Sequence, residues 1–246
     1  VNSYDTNALG GGWDLVGAPV GMTISAFTTA NAATLKVLGD DYAFSQYDNA
    51  TGQWNRYATS SQTGSFTAGQ GYSMATNAGD GATLAFTGAM QTADQSVDII
   101  NNNGLNNVGR RWNLVSNPFP SYINGNTSAA ATNNFMDVNS SVIDASYLGL
   151  YGWNGSGYDI YNNTNAAFSI APGQGFFIAA ASTSNAALNF TAAMRTTTGT
   201  GDFILGPQPL IYRLELKLYN AAIEQAKTQF YFKNGLSLDL DPGYDA

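Results

Sequence analysis

Hydrophobic and polar positions alternate along much of the chain, and a period of two is the mark of strands with one buried face. Residues 83–87 (TLAFT) put Leu84 and Phe86 on one side, and residues 187–191 (ALNFT) do the same with Leu188 and Phe190. Residues 211–219 alternate without a fault, with Tyr212, Leu214, Leu216 and Leu218 facing one way and Arg213, Glu215 and Lys217 the other. Residues 148–153 and 158–161 flank Asn154-Gly155, a dipeptide strongly favoured in tight hairpin turns. Residues 42–47 and 54–57 predict a matching hairpin with a longer turn, Asp48-Asn49-Ala50-Thr51-Gly52. Pro19 and Pro118 each end a strand that opens on a tryptophan, because proline extends the residue before it and cannot donate to a ladder. Phe230-Tyr231-Phe232 predicts a last strand, and residues 220–227 (NAAIEQAK) read as a loop or as one or two helical turns.

The pattern occurs twice. Trp13-Asp14-Leu15-Val16-Gly17-Ala18-Pro19 returns as Trp112-Asn113-Leu114-Val115-Ser116-Asn117-Pro118. Ala68-Gly69-Gln70-Gly71-Tyr72 returns as Pro172-Gly173-Gln174-Gly175-Phe176, and residues 82–92 return as 186–196 with seven of eleven positions identical. The three blocks keep their order, and the spacing changes only by an insertion of five residues within 124–141. This is the signature of a duplicated unit. The expected architecture is all-β: two tandem related β-sandwich-like domains, 1–100 and 108–200, followed by a C-terminal strand segment, 201–246, that packs on the second repeat or on a partner.

Composition changes what the fold can do. The chain of 246 residues has no Cys and no His, which removes Ser–His–Asp and Cys–His nucleophilic sites, thiolate and imidazole metal sites, and disulfides. Only 11% of residues are charged and the formal net charge is −8, an unfavourable balance for nucleic acid. A surface of Asn, Thr, Ser and Gly with only two Glu, Glu215 and Glu224, points to an extracellular location. No apolar run approaches the roughly 20 residues of a membrane span, and the polar stretch after Val1 has no signal-peptide pattern. No membrane insertion is expected.

The candidate chemistry is that of binding. Trp54, Tyr57, Trp153, Tyr158 and Tyr161 fall in the two hairpins, and flat aromatic faces beside Asn and Asp are what a sugar needs, by stacking and by hydrogen bonds to hydroxyls. The same residues are ordinary occupants of a β core. Asp239, Asp241 and Asp245 offer oxygen ligands for a structural Ca²⁺, although their spacing is not that of an EF-hand; no other cofactor is expected. Asp14, Asp40 and Asp41 read as solvated carboxylates. An Asp-based glycosidase needs two acids across a cleft, and no acid pair recurs between the copies. The Gly-Gln-Gly pairs lack the lysine and helix of a phosphate loop and read as tight backbone positions.

Several blocks together resemble a module of large surface proteins that Bacteroidota export through the type IX secretion system. They are Trp112 to Pro120 (WNLVSNPFP), Tyr151 to Tyr158 (YGWNGSGY), Ile170 to Phe177 (IAPGQGFF), and Asn189-Phe190-Thr191 with Met194-Arg195. The closing Asp241-Pro242-Gly243-Tyr244-Asp245-Ala246 resembles the region before the sorting domain of such proteins. The resemblance implies a secreted β module at the cell surface and brings no catalytic residues. The expected function is therefore non-catalytic: an adhesive or structural module, with a fibre subunit assembled by strand exchange as one form of it. The alternative is a carbohydrate-binding module of a larger secreted enzyme. The expected partners are glycans or other surface proteins.

Overall fold

Leu15 and Leu114 are apolar, strand-forming, and flanked by residues with the same preference, so each repeated Trp-containing block is driven into a sheet interior. The computed structural model of the protein describes residues 12–77, 81–102, 110–155 and 157–199, and the backbone of 212–220 and 223–232. In the first repeat, strand Asp14–Val16 pairs antiparallel with Tyr72–Met74, which pairs with Asp41–Asp48, which pairs with Gln53–Ala58. In the second, Trp112–Ser116 pairs with Gly175–Ala179, then come Leu150–Trp153 and Tyr158–Tyr161. The strand order is the same in both, and so is the register. Val16 lies opposite Tyr72 as Val115 lies opposite Phe176, and Leu15 opposite Ser73 as Leu114 opposite Phe177. The fold is all-β and sandwich-like.

Each repeat has its own core. Phe27, Phe44, Phe66, Tyr72 and Met74 anchor the first, and Phe119, Phe135, Phe176, Ile178 and Phe190 the second. The pattern did not predict the two short α-helices that close these cores, Ile24–Ala30 and Phe135–Asn139. They are capped by the side chains of Thr23 and Asn134, which accept from Ala26 and Asp137 backbone N–H. Asn31 and Asn139 then do the same work in each copy. Asn31 donates to the carbonyls of Phe27 and Ala85 and accepts from Ala85 N–H; Asn139 donates to Phe135 and Asn189 and accepts from Asn189 N–H. A buried amide thus ties the helix end to the repeated 82–87 or 186–191 segment.

Several expectations are corrected. Ala186–Phe190 is a strand, but residues 83–87 have no ladder partner among the described residues; the Asn31 clasp on Ala85 and the packing of Leu84 and Phe86 on the first core hold them there. The partner of Ala186–Phe190 is Gln95–Ile99, whose Val97 and Ile99 bury in the second core although they lie within residues 1–100. Asp14 is buried, at 5% exposure, and not solvated. Residues 223–227 of the NAAIEQAK stretch are strand and not helix, because Ile223–Phe232 pairs along its length with Tyr212–Asn220 and cross-strand pairing overrides local propensity. Val1–Gly206 and Pro207–Ala246 are two compact units, with the described residues of both repeats in the first and this hairpin in the second. No helix among the described residues is long and apolar enough to cross a membrane.

The two repeats meet by reciprocal exchange. Gly17 N–H donates to the carbonyl of Gly173 at 2.8 Å, and Ser116 N–H, at the matching place in the other copy, donates to Gly69 at 2.8 Å. Val16 bridges Gln174, and Val115 bridges Gln70. Each Gly-Gln-Gly motif is therefore a docking edge for the Trp-containing strand of the other repeat. A Cβ at Gly175 would stand 2.6 Å from the carbonyl carbon of Leu15, and one at Gly71 would stand 2.8 Å from the carbonyl oxygen of Val115, so backbone contact this close requires glycine.

Candidate functional site

The shared register brings the two hairpins to the seam between the repeats. Gly52, at φ +69°, closes the first turn with its N–H on the carbonyl of Asp48. In the second, Gly155 takes φ +93°, and Gly157 N–H donates to the side chain of Asn154. The ladders then place Tyr47 opposite Trp54 in the first hairpin and Trp153 opposite Tyr158 in the second. Trp54 and Trp153 are therefore not counterparts; Trp54 corresponds to Tyr158, and Tyr47 to Trp153. The two cross-strand pairs have the same edge-to-face geometry, with ring centroids 5.3 and 5.2 Å apart.

Two clefts are lined by this pair of hairpins. The first, of about 340 Å³, is walled by Tyr47, Trp54, Trp112, Tyr151, Tyr158 and Phe177. Phe177 sits at its centre, with ring centroids 5.2 Å from Tyr47, 6.2 Å from Trp54 and 5.8 Å from Tyr158. The second cleft, of about 300 Å³, has Trp13, Trp54, Trp153 and Tyr158 as its aromatic walls, with buried Leu15, Ser45 and Ser73 and exposed Arg56 completing the lining. The repeat relates the two: Trp13 answers to Trp112, Ser45 to Tyr151, Ser73 to Phe177, and Trp153 to Tyr47. Trp54 and Tyr158 belong to both clefts and are exposed, at 40% and 49%. The chain has four tryptophans, and all four line this seam.

Burial raises the phenols of Tyr47, Tyr151 and Tyr158, with the Asp48 carboxylate adding to the effect at Tyr47. These hydroxyls stay neutral at physiological pH, where each can donate and accept. Asp48 itself is held below the usual carboxylate range, first by the hydroxyl of Thr51. A third cavity, of about 270 Å³, lies beside the seam, with Asp48, Asp98 and Asn113 in its wall. Asn49 donates there to Ile100 and Asn113 and accepts from Asn102, which ties the first hairpin turn to the second repeat.

The five aromatic residues expected at a binding surface divide by the side of the strand they occupy. Trp54, Trp153 and Tyr158 line the clefts. Tyr57 and Tyr161 do not: Tyr57 stacks on Phe44 at 4.3 Å and Tyr161 packs on Phe168 and the second core, because each lies on the inward face of its strand. Trp13, Trp112, Tyr47, Tyr151, Phe177 and Arg56 were missed. The repeated tryptophan opening each copy was the available signal for the first two. Asp239, Asp241 and Asp245 lie outside the described residues, and no group of three or more potential acidic metal ligands occurs among the described ones.

Clefts of this size, aromatic in the wall with a few polar groups at the base, have the make-up of ligand sites that hold a flat ring against a side-chain face. No protein-family model matches the chain, and comparisons with curated proteins and with solved structures return no match.

Proposed function

We propose that this chain is a non-catalytic extracellular recognition module that binds carbohydrate along the aromatic seam between its repeats, and so serves adhesion for the surface protein that carries it. The observation that carries this reading is the position of the tryptophans. Trp112 and Trp153 are half-buried against Leu15, Leu114 and Phe177, whereas Trp54 and Tyr158 stand exposed on the ridge of the seam and give up burial that a core would reward with about 1.5–3 kcal/mol each. A protein selected for stability alone would turn them inward, as it does Tyr57 and Tyr161. The low-charge Asn/Thr/Ser surface supports the extracellular setting, and the resemblance to exported Bacteroidota modules supports the same place and route. The terminal hairpin satisfies its inner ladder with its own two strands, so the reading rests on the seam and not on strand exchange.

A glycan microarray probed with the intact chain tests it, with Trp54→Ala and Trp153→Ala as companions and circular dichroism to check folding. Binding to a defined set of saccharides is expected, and folded Trp54→Ala should weaken it about tenfold or more, because one exposed stacking face is lost from both clefts. Unchanged binding in both folded variants would rule the seam out as the site.

A further inference from the structure

We infer that the second cleft takes an anionic sugar unit, with the Arg56 guanidinium as the group that selects it. This rests on the carbohydrate reading above and narrows it to one cleft and one charge.

The two clefts are copies, so their differences are informative. Across the sheet of the second repeat, the register aligns Ile160, Tyr151, Phe177 and Leu114 in one row. The matching row of the first repeat reads Arg56, Ser45, Ser73 and Leu15. The row is apolar and bulky in one copy; in the other, two rings are replaced by hydroxymethyl groups and an isoleucine by a guanidinium. The aromatic walls survive on both sides. Exchange of Tyr and Phe for two serines puts hydroxyls in the lining of the second cleft where the first has rings, while Arg56 brings a charge to its rim.

Charge points to the occupant. The chain carries 17 acidic residues against nine basic ones, yet among the described residues no carboxylate lines either aromatic cleft, and Arg56 is the one charged residue in the wall of the second. Asp48 and Asp98 belong to the separate third cavity. A guanidinium presents a planar fork of donors that fits the two oxygens of a carboxylate or a sulfate, and charge-assisted pairs of this kind are about twice as strong as neutral ones. Trp13 and Trp153 offer faces for the ring of the same sugar. A uronate and a sulfated hexose present this chemistry equally.

Calorimetric titration of the intact chain with tetragalacturonate and with a carrageenan tetrasaccharide, each beside its carboxyl-reduced or desulfated counterpart, tests the inference. At least one acid should bind about tenfold more tightly than its neutral counterpart, a preference that falls as NaCl rises. Arg56→Gln should erase that preference, bringing the charged sugar to the affinity of its neutral counterpart. Equal affinities for charged and neutral sugars, or a preference that survives in Arg56→Gln, would overturn the inference and leave the carbohydrate reading standing. Absence of binding to every saccharide on the array and in the titrations would overturn both.

Discussion

Asn117→Ala is expected to lower the stability of the protein by about 3 kcal/mol. Asn117 is fully buried at the end of strand Trp112–Ser116, just before Pro118. Its amide donates to the carbonyls of Ser121, Ile170 and Ala171 at 2.9, 3.1 and 3.0 Å, and its carbonyl accepts from Phe119 N–H at 3.0 Å. Alanine would strip this partner from Phe119 N–H and the Ser121 carbonyl, while Ala171 keeps Gln174 N–H and Ile170 keeps its ladder with Ile123, and each buried group left unmatched costs about 1–3 kcal/mol before the structure relaxes. The melting temperature of a domain of this size should fall by about 6–12 °C in a calorimetric scan. The first repeat has Ala18 at the matching position, buried at 3% exposure, and runs without this clasp. A loss below about 1 kcal/mol would mean that the amide network is not what holds this corner.

Gly175→Val should be at least as damaging. Its Cβ would meet the backbone of the other repeat, 2.6 Å from the Leu15 carbonyl carbon and 2.8 Å from Val16 N, and no side-chain rotation relieves a clash with backbone. Overpacking of this kind costs about 1–3 kcal/mol where neighbours can yield, and more where they cannot. The loss should be concentrated at the seam. Hydrogen exchange at Gly17 and Ser116, whose N–H groups cross between the repeats, should accelerate more than exchange inside either core. Gly157→Ala is the control: nothing stands within 4 Å of its Cβ, and it should melt like the parent chain. Equal melting of Gly175→Val and Gly157→Ala would contradict the reciprocal docking of the repeats.

What was legible in the sequence was local and repeated. The two hairpins, the Trp-containing strands ended by proline, and the duplication could be read because turn chemistry and period-two alternation act over a few residues. The two helices escaped because they span seven and five residues, too few for a 3.6-residue period to show. Phe27 with Asn31, and Phe135 with Asn139, repeat the same four-residue step, which was the signal available. Strand Gln95–Ile99 lies within the first expected domain yet pairs with Ala186–Phe190, because which sheet a strand joins is decided by partners far along the chain.

The aromatic seam was half legible for the same reason. Trp54, Trp153 and Tyr158 stood out as exposed-capable aromatics, but Tyr57 and Tyr161 looked identical to them until the register showed which face each occupied. Arg56 was invisible as a site residue. Its meaning comes from alignment with Ser45 and Ser73 on two other strands, and from contrast with Ile160 in the second repeat. The Gly-Gln-Gly motifs read as tight backbone positions, but the pattern does not show that the close approach they permit is to the other repeat.

The most direct test uses the tryptophans as their own reporters. All four line the seam, so a saccharide that saturates the intact protein in calorimetry must change its tryptophan emission and protect it from acrylamide quenching, an effect reduced in Trp54→Ala. Saturation with emission and quenching both unchanged would place the sugar elsewhere on the molecule and contradict the assignment of the seam as the binding surface.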